Sequence, residues 1–288
     1  MKIITNIHFI EGIGQHFLRI VIMILAAYLS NKEFRYSPLK NELLLHNYDN
    51  DQSFVDKTES FFNFKDNYPI NIDTSLSNYE YYENCNMKPK SLDKWKQYKK
   101  CKKIVDNDFE TAITSEVMSN IKQKFWEGKK PILDTNDFNI CVHIRRTNVV
   151  DQNEVYDYRF NDPNEILPDM LYINLINTLL EKYTPPISPK IHIYSQKALD
   201  VDSYVKSINN SNVIFHLDTD VFETFQSLAE ADVLVISKSG LSYSAALLNE
   251  NDVYFFPWEF SPCPHWNTIK FKNTCTSKQK ETKNHVYI

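Results

Sequence analysis

Two adjacent arginines that follow a short apolar segment are the residues best suited to chemistry. Residues 139–144 are predicted to form a buried strand, and Arg145 and Arg146 come directly after it. A guanidinium is always charged and presents a planar fork of donors that matches phosphate oxygens. In open α/β folds, ligands bind beyond the carboxyl ends of the strands. The pair therefore indicates a site for an anionic small molecule such as a nucleotide diphosphate; the alternative is a surface strand whose arginines pair with nearby carboxylates.

Regularly alternating elements from residue 138 onwards would position this pair. Short apolar runs predict strands at 139–144, 190–194, 213–216, 232–236 and 252–256. The segments between them predict helices at 168–182, 200–208, 221–230 and 240–249. Such alternation is typical of a parallel sheet covered by helices on both faces. The sequence therefore predicts a Rossmann-like lobe whose first strand carries the arginines.

A second polar loop follows the predicted strand at 232–236. It contains Ser237, Ser239, Gly240 and Ser242 at the start of a predicted helix. Hydroxyl groups and free N–H groups at a helix start can bind a phosphate or a sugar. The alternative is that Ser239 caps the helix, and both roles can hold at once.

A third loop lies near the N-terminus, between a predicted strand at 3–9 and a predicted helix at 15–30. It contains Gly12 and Gly14, two of only four glycines in the chain, followed by Gln15. The start of the helix would offer N–H groups and a positive dipole end to an anion. The alternative is a tight turn between strand and helix.

The segment from 37 to 135 has no regular pattern over most of its length and is expected to be irregular. Residues 109–126 predict one helix that ends near Gly128, with Pro131 beyond it. Residues 88–103 are rich in lysine, for which a solvated helix face is favoured over a site for an anionic acceptor.

Composition argues against several other classes of protein. Hydrophobic residues make up 42% and charged residues 24% of the chain, the profile of a packed globular protein. A net charge of -5 disfavours nucleic-acid binding. The five cysteines form no CxxC pair, which indicates neither a zinc site nor a disulfide framework, although Cys263 and Cys275 could pair in an oxidising compartment. Reduced thiols and a cytoplasmic location are expected.

The apolar run at 17–29 is the one membrane candidate in the sequence. It is shorter than the roughly 20 residues that a spanning helix needs and contains Arg19. A signal peptide would need a basic segment before this run, but that stretch holds Glu11. The run is therefore predicted to be a buried helix, and no membrane span is expected.

Taken in order, the three loops resemble those of the fucosyltransferase superfamily. Residues 143–147, His-Ile-Arg-Arg-Thr, resemble the His-x-Arg-Arg signature shared by α1,2-, α1,6- and protein O-fucosyltransferases. Residues 12–15, Gly-Ile-Gly-Gln, are similar to the N-terminal Gly-x-Gly loop. Residues 237–245 are similar to the C-terminal serine-rich motif. The resemblance covers residues 3–36 and 139–260.

The resemblance implies an α/β chain of the GT-B-like kind, with two Rossmann-type lobes and the donor in the cleft. The expected domains are an N-terminal acceptor-side lobe at 1–137, a nucleotide-sugar lobe at 138–262 and a tail at 263–288. The implied reaction is transfer of fucose from GDP-fucose to a hydroxyl of a glycan or protein, with inversion. The implied enzyme uses neither a metal nor a cofactor.

The resemblance also implies roles for individual residues. Arg145 is expected to bind the diphosphate, with Arg146 as its helper, because fixed cations stabilise the charge that builds on a departing phosphate. The expected donor contacts are Gly12, Gly14, Gln15, His143, Arg145, Glu223, Ser237, Ser239, Gly240 and Ser242. Apart from the resemblance, Asp151, Glu154 and Asp157 follow the arginine pair and are candidate general bases for the acceptor hydroxyl, the alternative being ordinary loop carboxylates.

Two positions depart from the family pattern. Asn148 stands where the family usually has Asp, and Val149 stands where the α1,6 group has Lys. The alternative function is therefore a catalytically silent nucleotide-sugar or glycan-binding protein. An α/β hydrolase is disfavoured because the chain has no Gly-x-Ser-x-Gly motif.

Residues 218–220 form an Asp-Thr-Asp triad, a pattern that holds a divalent metal in another glycosyltransferase fold. The triad lies between a predicted strand and a predicted helix. Capping of that helix by Asp220 is favoured over metal binding, because the pattern is short and common.

Overall fold

The computed structural model describes residues 3–9, 11–41, 44, 51–70, 89–146, 166–183, 188–208, 212–270 and 285–287, with backbone alone at 89–93 and 285–287. The chain divides into two compact units, Met1–Lys129 and Lys130–Ile288. The division lies between residues 129 and 130, whereas the sequence suggested 137 and 138.

A pair of short parallel strands and one long buried helix organise the N-terminal unit. Strand β1 (Ile3–Thr5) pairs with β2 (Glu33–Arg35), and helix α1 (Ile13–Leu29) connects them. Helix α1 is buried from Ile13 to Ala27 with the exception of Gln15, as its nearly continuous apolar sequence requires. The predicted buried helix is thus confirmed. Across the described residues, no helix is both long and apolar enough to cross a membrane.

Four further helices follow in this unit, and they correct the expectation that residues 37–135 are irregular. They are α2 (Gln52–Phe62), α3 (Pro89–Asn107), α4 (Phe109–Ile113) and α5 (Glu116–Trp126). The single helix predicted at 109–126 is two helices because Ser115 interrupts it. Its hydroxyl donates to the carbonyl of Ala112 at 2.7 Å and accepts from the N–H of Met118 at 3.2 Å. One side chain therefore ends α4 and begins α5.

Seven parallel strands form the sheet of the C-terminal unit. They are β3 (Asn139–His143), β4 (Lys190–Ser195), β5 (Val213–Leu217), β6 (Val233–Ile236), β7 (Asp252–Phe255), β8 (Asn267–Lys270) and β9 (His285–Tyr287). Their order across the sheet is β5-β4-β3-β6-β7-β8-β9, and every neighbouring pair is parallel. The strand order runs outward in both directions from the β3–β6 pair. This is the doubly wound topology, with its switch point between β3 and β6.

The helices of this unit lie where the alternating pattern predicted them. They are α6 (Asp169–Lys182), α7 (Val201–Ser207), α8 (Val221–Glu230) and α9 (Gly240–Leu248). Ile140 and Val142 of β3 are fully buried in one apolar cluster with Tyr172 and Ile176 of α6. Burying each such aliphatic side chain contributes roughly 1.5–3 kcal/mol. The parallel sheet and its helices confirm the predicted α/β class.

The segment at 263–288, expected to be a tail, contributes two strands to the sheet. Strand β8 pairs with β7, and β9 pairs with β8. Ile269 of β8 is fully buried, and the nearby Trp266 packs against Tyr243 and Phe255 at ring distances of 5.3 and 5.9 Å. Burial of these two large side chains explains why the segment joins the sheet.

Candidate functional site

The carboxyl ends of β3 and β6 meet at the switch point and carry two of the three predicted loops. Strand β3 ends at His143 and β6 ends one residue before Ser237. A 2.7 Å hydrogen bond joins His143 Nδ1 to Ser237 Oγ. Both side chains are buried. The structure therefore brings the His-x-Arg-Arg segment and the serine-rich loop together, at the edge where doubly wound folds bind ligands.

His143 is held in its neutral form. Burial, reinforced by the charge of Arg145, lowers the pKa of its imidazole from 6.5 to about 3. At neutral pH the ring therefore contributes a hydrogen bond and no charge. Its effect at this edge is to join two neighbouring strand ends.

The main chain that leads into Arg145 is fixed by strand β4. The N–H of Ile144 donates to the carbonyl of Tyr194 at 2.9 Å. The hydroxyl of Ser195 donates to the carbonyl of Ile144 at 2.8 Å. Arg145 itself is half-buried. A cation on a held backbone at this edge is well placed to meet an anion.

Arg146 has a different environment from its neighbour. Its side chain is only 11% exposed, and its guanidinium forms an ion pair with Asp169, the first residue of α6. The same guanidinium donates to the carbonyl of Arg145 at 2.7 Å. For Arg146, then, the structure shows the pairing with a carboxylate that was the alternative interpretation of the sequence.

The serine-rich loop is held by its own hydroxyls. Ser239 caps α9 by accepting from the N–H of Leu241 at 3.3 Å, so the capping role is confirmed. The hydroxyl of Ser242 lies 3.4 Å from that of Ser237 and donates to the carbonyl of Ser237 at 3.3 Å. Ser237, Ser239, Gly240 and Ser242 are all buried. Their ligand contacts stay a prediction.

Lys238 is a residue of this loop that the sequence argument missed. It lies between two buried serines, is half-buried itself, and follows β6 by two residues. The serine-rich motif does not specify a residue at this position. The sequence did carry a signal, namely a lysine directly after a central parallel strand. A cation there adds positive charge at the edge where ligands bind.

The N-terminal glycine loop belongs to the other unit. Gly12 is the N-cap of α1 with φ -68° and ψ 158°, and its carbonyl accepts from the N–H of Gln15 at 3.1 Å. A Cβ at Gly12 would meet no atom within 4 Å. Neither backbone conformation nor packing therefore requires glycine at this position. Gly14 is buried in the first turn of α1.

Glu11 and Arg19 form an ion pair that ties this loop to α1. The Arg19 side chain is 8% exposed, and that of Glu11 is 18% exposed. The guanidinium also lies over the rings of Phe9, Trp95 and Tyr98, at 4.5, 5.2 and 4.3 Å. The charge that made residues 17–29 a poor membrane span is thus satisfied within the fold.

The Asp-Thr-Asp triad acts at the start of α8. Asp220 accepts from the N–H groups of Phe222 and Glu223 at 2.8 and 3.1 Å, which confirms the predicted cap. Asp218 accepts from the N–H of Lys197 at 3.3 Å. Glu223 is exposed in the first turn of the helix. No group of three or more potential metal ligands occurs within the described ranges.

The candidate general bases and both departures from the family pattern lie outside the described residues. They are Asp151, Glu154 and Asp157, together with Asn148 and Val149.

Neither the family models nor the curated proteins include a match to this chain. Among solved structures, NodZ α-1,6-fucosyltransferase soaked with GDP-fucose is similar at 9% identity, over 86% of this chain and 92% of that one, with a TM-score of 0.45. Fucosyltransferase NodZ from Bradyrhizobium is similar at 10% identity, over 86% and 94%, with a TM-score of 0.44. The E. coli heptosyltransferase WaaC with ADP-2-deoxy-2-fluoro heptose is similar at 10% identity, over 92% and 91%, with a TM-score of 0.40.

Proposed function

We propose that this chain is a glycosyltransferase that binds GDP-fucose at the carboxyl edge of the C-terminal sheet. It transfers fucose, with inversion and without a metal, to a hydroxyl of a glycan or protein. The observation that carries the proposal is the bond between His143 and Ser237 at the switch point. It unites the two segments of the C-terminal unit that resemble the fucosyltransferase motifs.

The chemistry requires stabilisation of a departing diphosphate. The acceptor oxygen forms a bond to the anomeric carbon while the bond from that carbon to the phosphate oxygen breaks, leaving GDP. Negative charge builds on the phosphate oxygens, and Arg145 supplies a fixed cation for it. The N–H groups at the start of α9 add the positive end of a helix dipole. The proton of the acceptor hydroxyl passes to a carboxylate, for which Asp151, Glu154 and Asp157 are the candidates.

His143 has a supporting part in this proposal. Because the pKa of His143 is lowered to about 3, its imidazole carries no charge for a phosphate and is too weak a base to take the acceptor proton at neutral pH. It fixes the loop after β6 relative to the strand that leads to Arg145.

The second candidate function is a nucleotide-sugar or glycan-binding protein without catalytic activity. Two observations favour it: Asn148 lacks the charge of the usual Asp, and Arg146 is committed to Asp169. This candidate predicts GDP binding without turnover of GDP-fucose. Asn148→Asp should then restore transfer if the missing charge is the cause.

Calorimetric titration with GDP tests the proposal, with UDP and ADP titrated separately as controls and EDTA in the buffer. We expect GDP-selective binding that Arg145→Ala weakens ~10- to 100-fold, the range for a hydrogen bond to a charged group. Lys197→Ala is the matched control, because Lys197 is a 78% exposed cation that follows the neighbouring strand β4. Its GDP affinity should stay within about twofold of the wild-type value.

Absence of binding to all three nucleotides would refute the glycosyltransferase proposal. Equal binding of GDP and ADP would retain a nucleotide site but refute the choice of guanine. Where GDP binds, release of fucose or its transfer from GDP-fucose separates the enzyme from the silent binder.

A further inference from the structure

Arg146 lies at the centre of a chain of hydrogen bonds that ends at the backbone of Arg145. One guanidinium nitrogen donates to the carbonyl of Arg145 at 2.7 Å, and another pairs with Oδ1 of Asp169. The same carboxylate oxygen accepts from the hydroxyl of Tyr204 at 2.6 Å. The chain joins three separate elements: the loop after β3, the start of α6 and the middle of α7.

We propose that Asp169 and Tyr204 are positioning residues for Arg145 and act on it through Arg146. This rests on the proposed function, since it assigns Arg145 to the diphosphate. The two arginines then have separate parts. Arg145 meets the anion, and Arg146 holds the main chain from which Arg145 extends.

The environment of each group fits a fixed arrangement. Tyr204 is fully buried, and the Arg146 side chain is 11% exposed. Burial and the bond to Asp169 both raise the pKa of the Tyr204 hydroxyl, so it remains a donor at physiological pH. Asp169 lies in the first turn of α6, where the helix dipole favours a negative charge.

Together with β4, these contacts hold the backbone on both sides of Arg145. The N–H and carbonyl of Ile144 are bonded to β4, and the carbonyl of Arg145 is bonded to Arg146. A guanidinium that extends from a fixed backbone loses less conformational freedom when it binds. Loosening the chain should therefore weaken anion binding even though neither Asp169 nor Tyr204 touches the anion.

A role in stability alone gives a different expectation. Removing one partner of a buried ion pair is destabilising, because it leaves the other charge without compensation. If this one only held α6 and α7 in place, its loss would lower the unfolding temperature and leave the GDP affinity of the folded protein unchanged.

Tyr172 offers a matched control beside the same groups. It is fully buried, and the charges of Arg146 and Asp169 both act on its pKa. Among the described residues its hydroxyl has no hydrogen-bond partner. Tyr172→Phe therefore removes a hydroxyl at this place without breaking the chain, just as Tyr204→Phe removes one that belongs to it.

The experiment is calorimetric titration of GDP into the full chain, with unfolding temperatures measured to confirm that each variant is folded. We expect Tyr204→Phe to weaken GDP binding ~3- to 10-fold and Asp169→Asn ~10-fold or more, from the usual cost of losing a hydrogen bond or a charged partner. Tyr172→Phe should bind GDP as the wild type does. Tyr204→Phe loses one hydroxyl and keeps the test valid if Asp169→Asn fails to fold.

A second background tests whether the effect passes through Arg145. In Arg145→Lys, the ammonium is a point charge on a flexible stem and gains little from a fixed backbone. The effect of Tyr204→Phe on GDP affinity should therefore shrink to less than about twofold there. An equal effect in both backgrounds would overturn the inference.

The remaining outcomes separate this inference from the proposed function. If wild type binds GDP and Arg145→Ala does not, while Tyr204→Phe and Asp169→Asn bind as wild type does, the positioning role is wrong and the donor site stands. If wild type binds no nucleotide, both are wrong.

Discussion

Acid should destabilise this protein in part through His143, by an amount that the structure allows to be worked out. The pKa of His143 is lowered from 6.5 to about 3 in the folded chain. Between these two values the unfolded chain binds a proton that the folded chain does not. Stability from this group is therefore complete above about pH 6.5 and is lost as the pH falls toward 3. At pH 5 the loss is about 1.5 pH units, or roughly 2 kcal/mol.

The substitution His143→Asn isolates this contribution. An Asn amide can keep a partner for Ser237 close to the position of Nδ1 and does not titrate. His8 and His192 also have lowered pKa values, of about 3 and 4. They affect wild type and variant alike, so they cancel in the difference between the two proteins.

Urea unfolding at pH 7.5 and pH 5.0 measures the effect. His143→Asn should destabilise the chain less at pH 5.0 than at pH 7.5, by about 2 kcal/mol. Val142→Ala, a non-titrating change at the fully buried neighbouring position, should cost the same at both pH values. A pH-independent cost for His143→Asn would refute the argument that the imidazole is buried in its neutral form.

Three further predictions concern loops and helix starts. Gly12→Ala should change the free energy of unfolding by less than ~1 kcal/mol, since its Cβ would meet open space. A loss of GDP affinity without loss of stability would support the donor contact, and a melting temperature lowered by more than about 4 °C would contradict the expected small change. Glu11→Gln and Arg19→Met should each lower the free energy of unfolding by ~3 kcal/mol or more, and the double variant should lower it by less than the sum of the two. Strictly additive losses in urea unfolding would exclude a coupled pair. Asp220→Asn should change the free energy of unfolding by less than ~0.5 kcal/mol, whereas Asp220→Ala should lower it by ~1 kcal/mol. If Mn²⁺ raised the melting temperature of the wild type and Asp220→Asn abolished that rise, the residue would bind a metal instead.

Residues 139–256 of the C-terminal unit could be predicted from sequence because their signals are local. Runs such as Val233–Ile236 are continuously apolar, and helix starts such as Asp220 and Ser239 carry their own caps. The structure places these boundaries within one or two residues of the prediction. No local signal shows that β3 and β6 are neighbours. Their pairing is inferred from the doubly wound topology that alternating strands and helices adopt.

The parts that could not be predicted depend on partners distant in the chain. The ion pair between Arg146 and Asp169 joins residues 23 positions apart, and nothing in either local sequence selects the other. Strand β2 has three residues, too few for a periodic pattern to emerge. Strand β8, Asn-Thr-Ile-Lys, contains a single apolar residue, in contrast to the continuously apolar β6. Helix α2 begins at a cap on Asp51 and buries four residues, of which two are polar, so its sequence shows little apolar periodicity.

The switch point also has a consequence for the order in which the C-terminal unit folds. Strands β3, β4 and β5 follow one another in sequence and pair in that order, so this half of the sheet can assemble from nearby segments. The contact between His143 and Ser237 spans 94 residues and requires the other half to dock against β3. Long loops of this kind close slowly. We therefore expect the candidate site to be absent from early folding intermediates and to form only when the two halves of the sheet join.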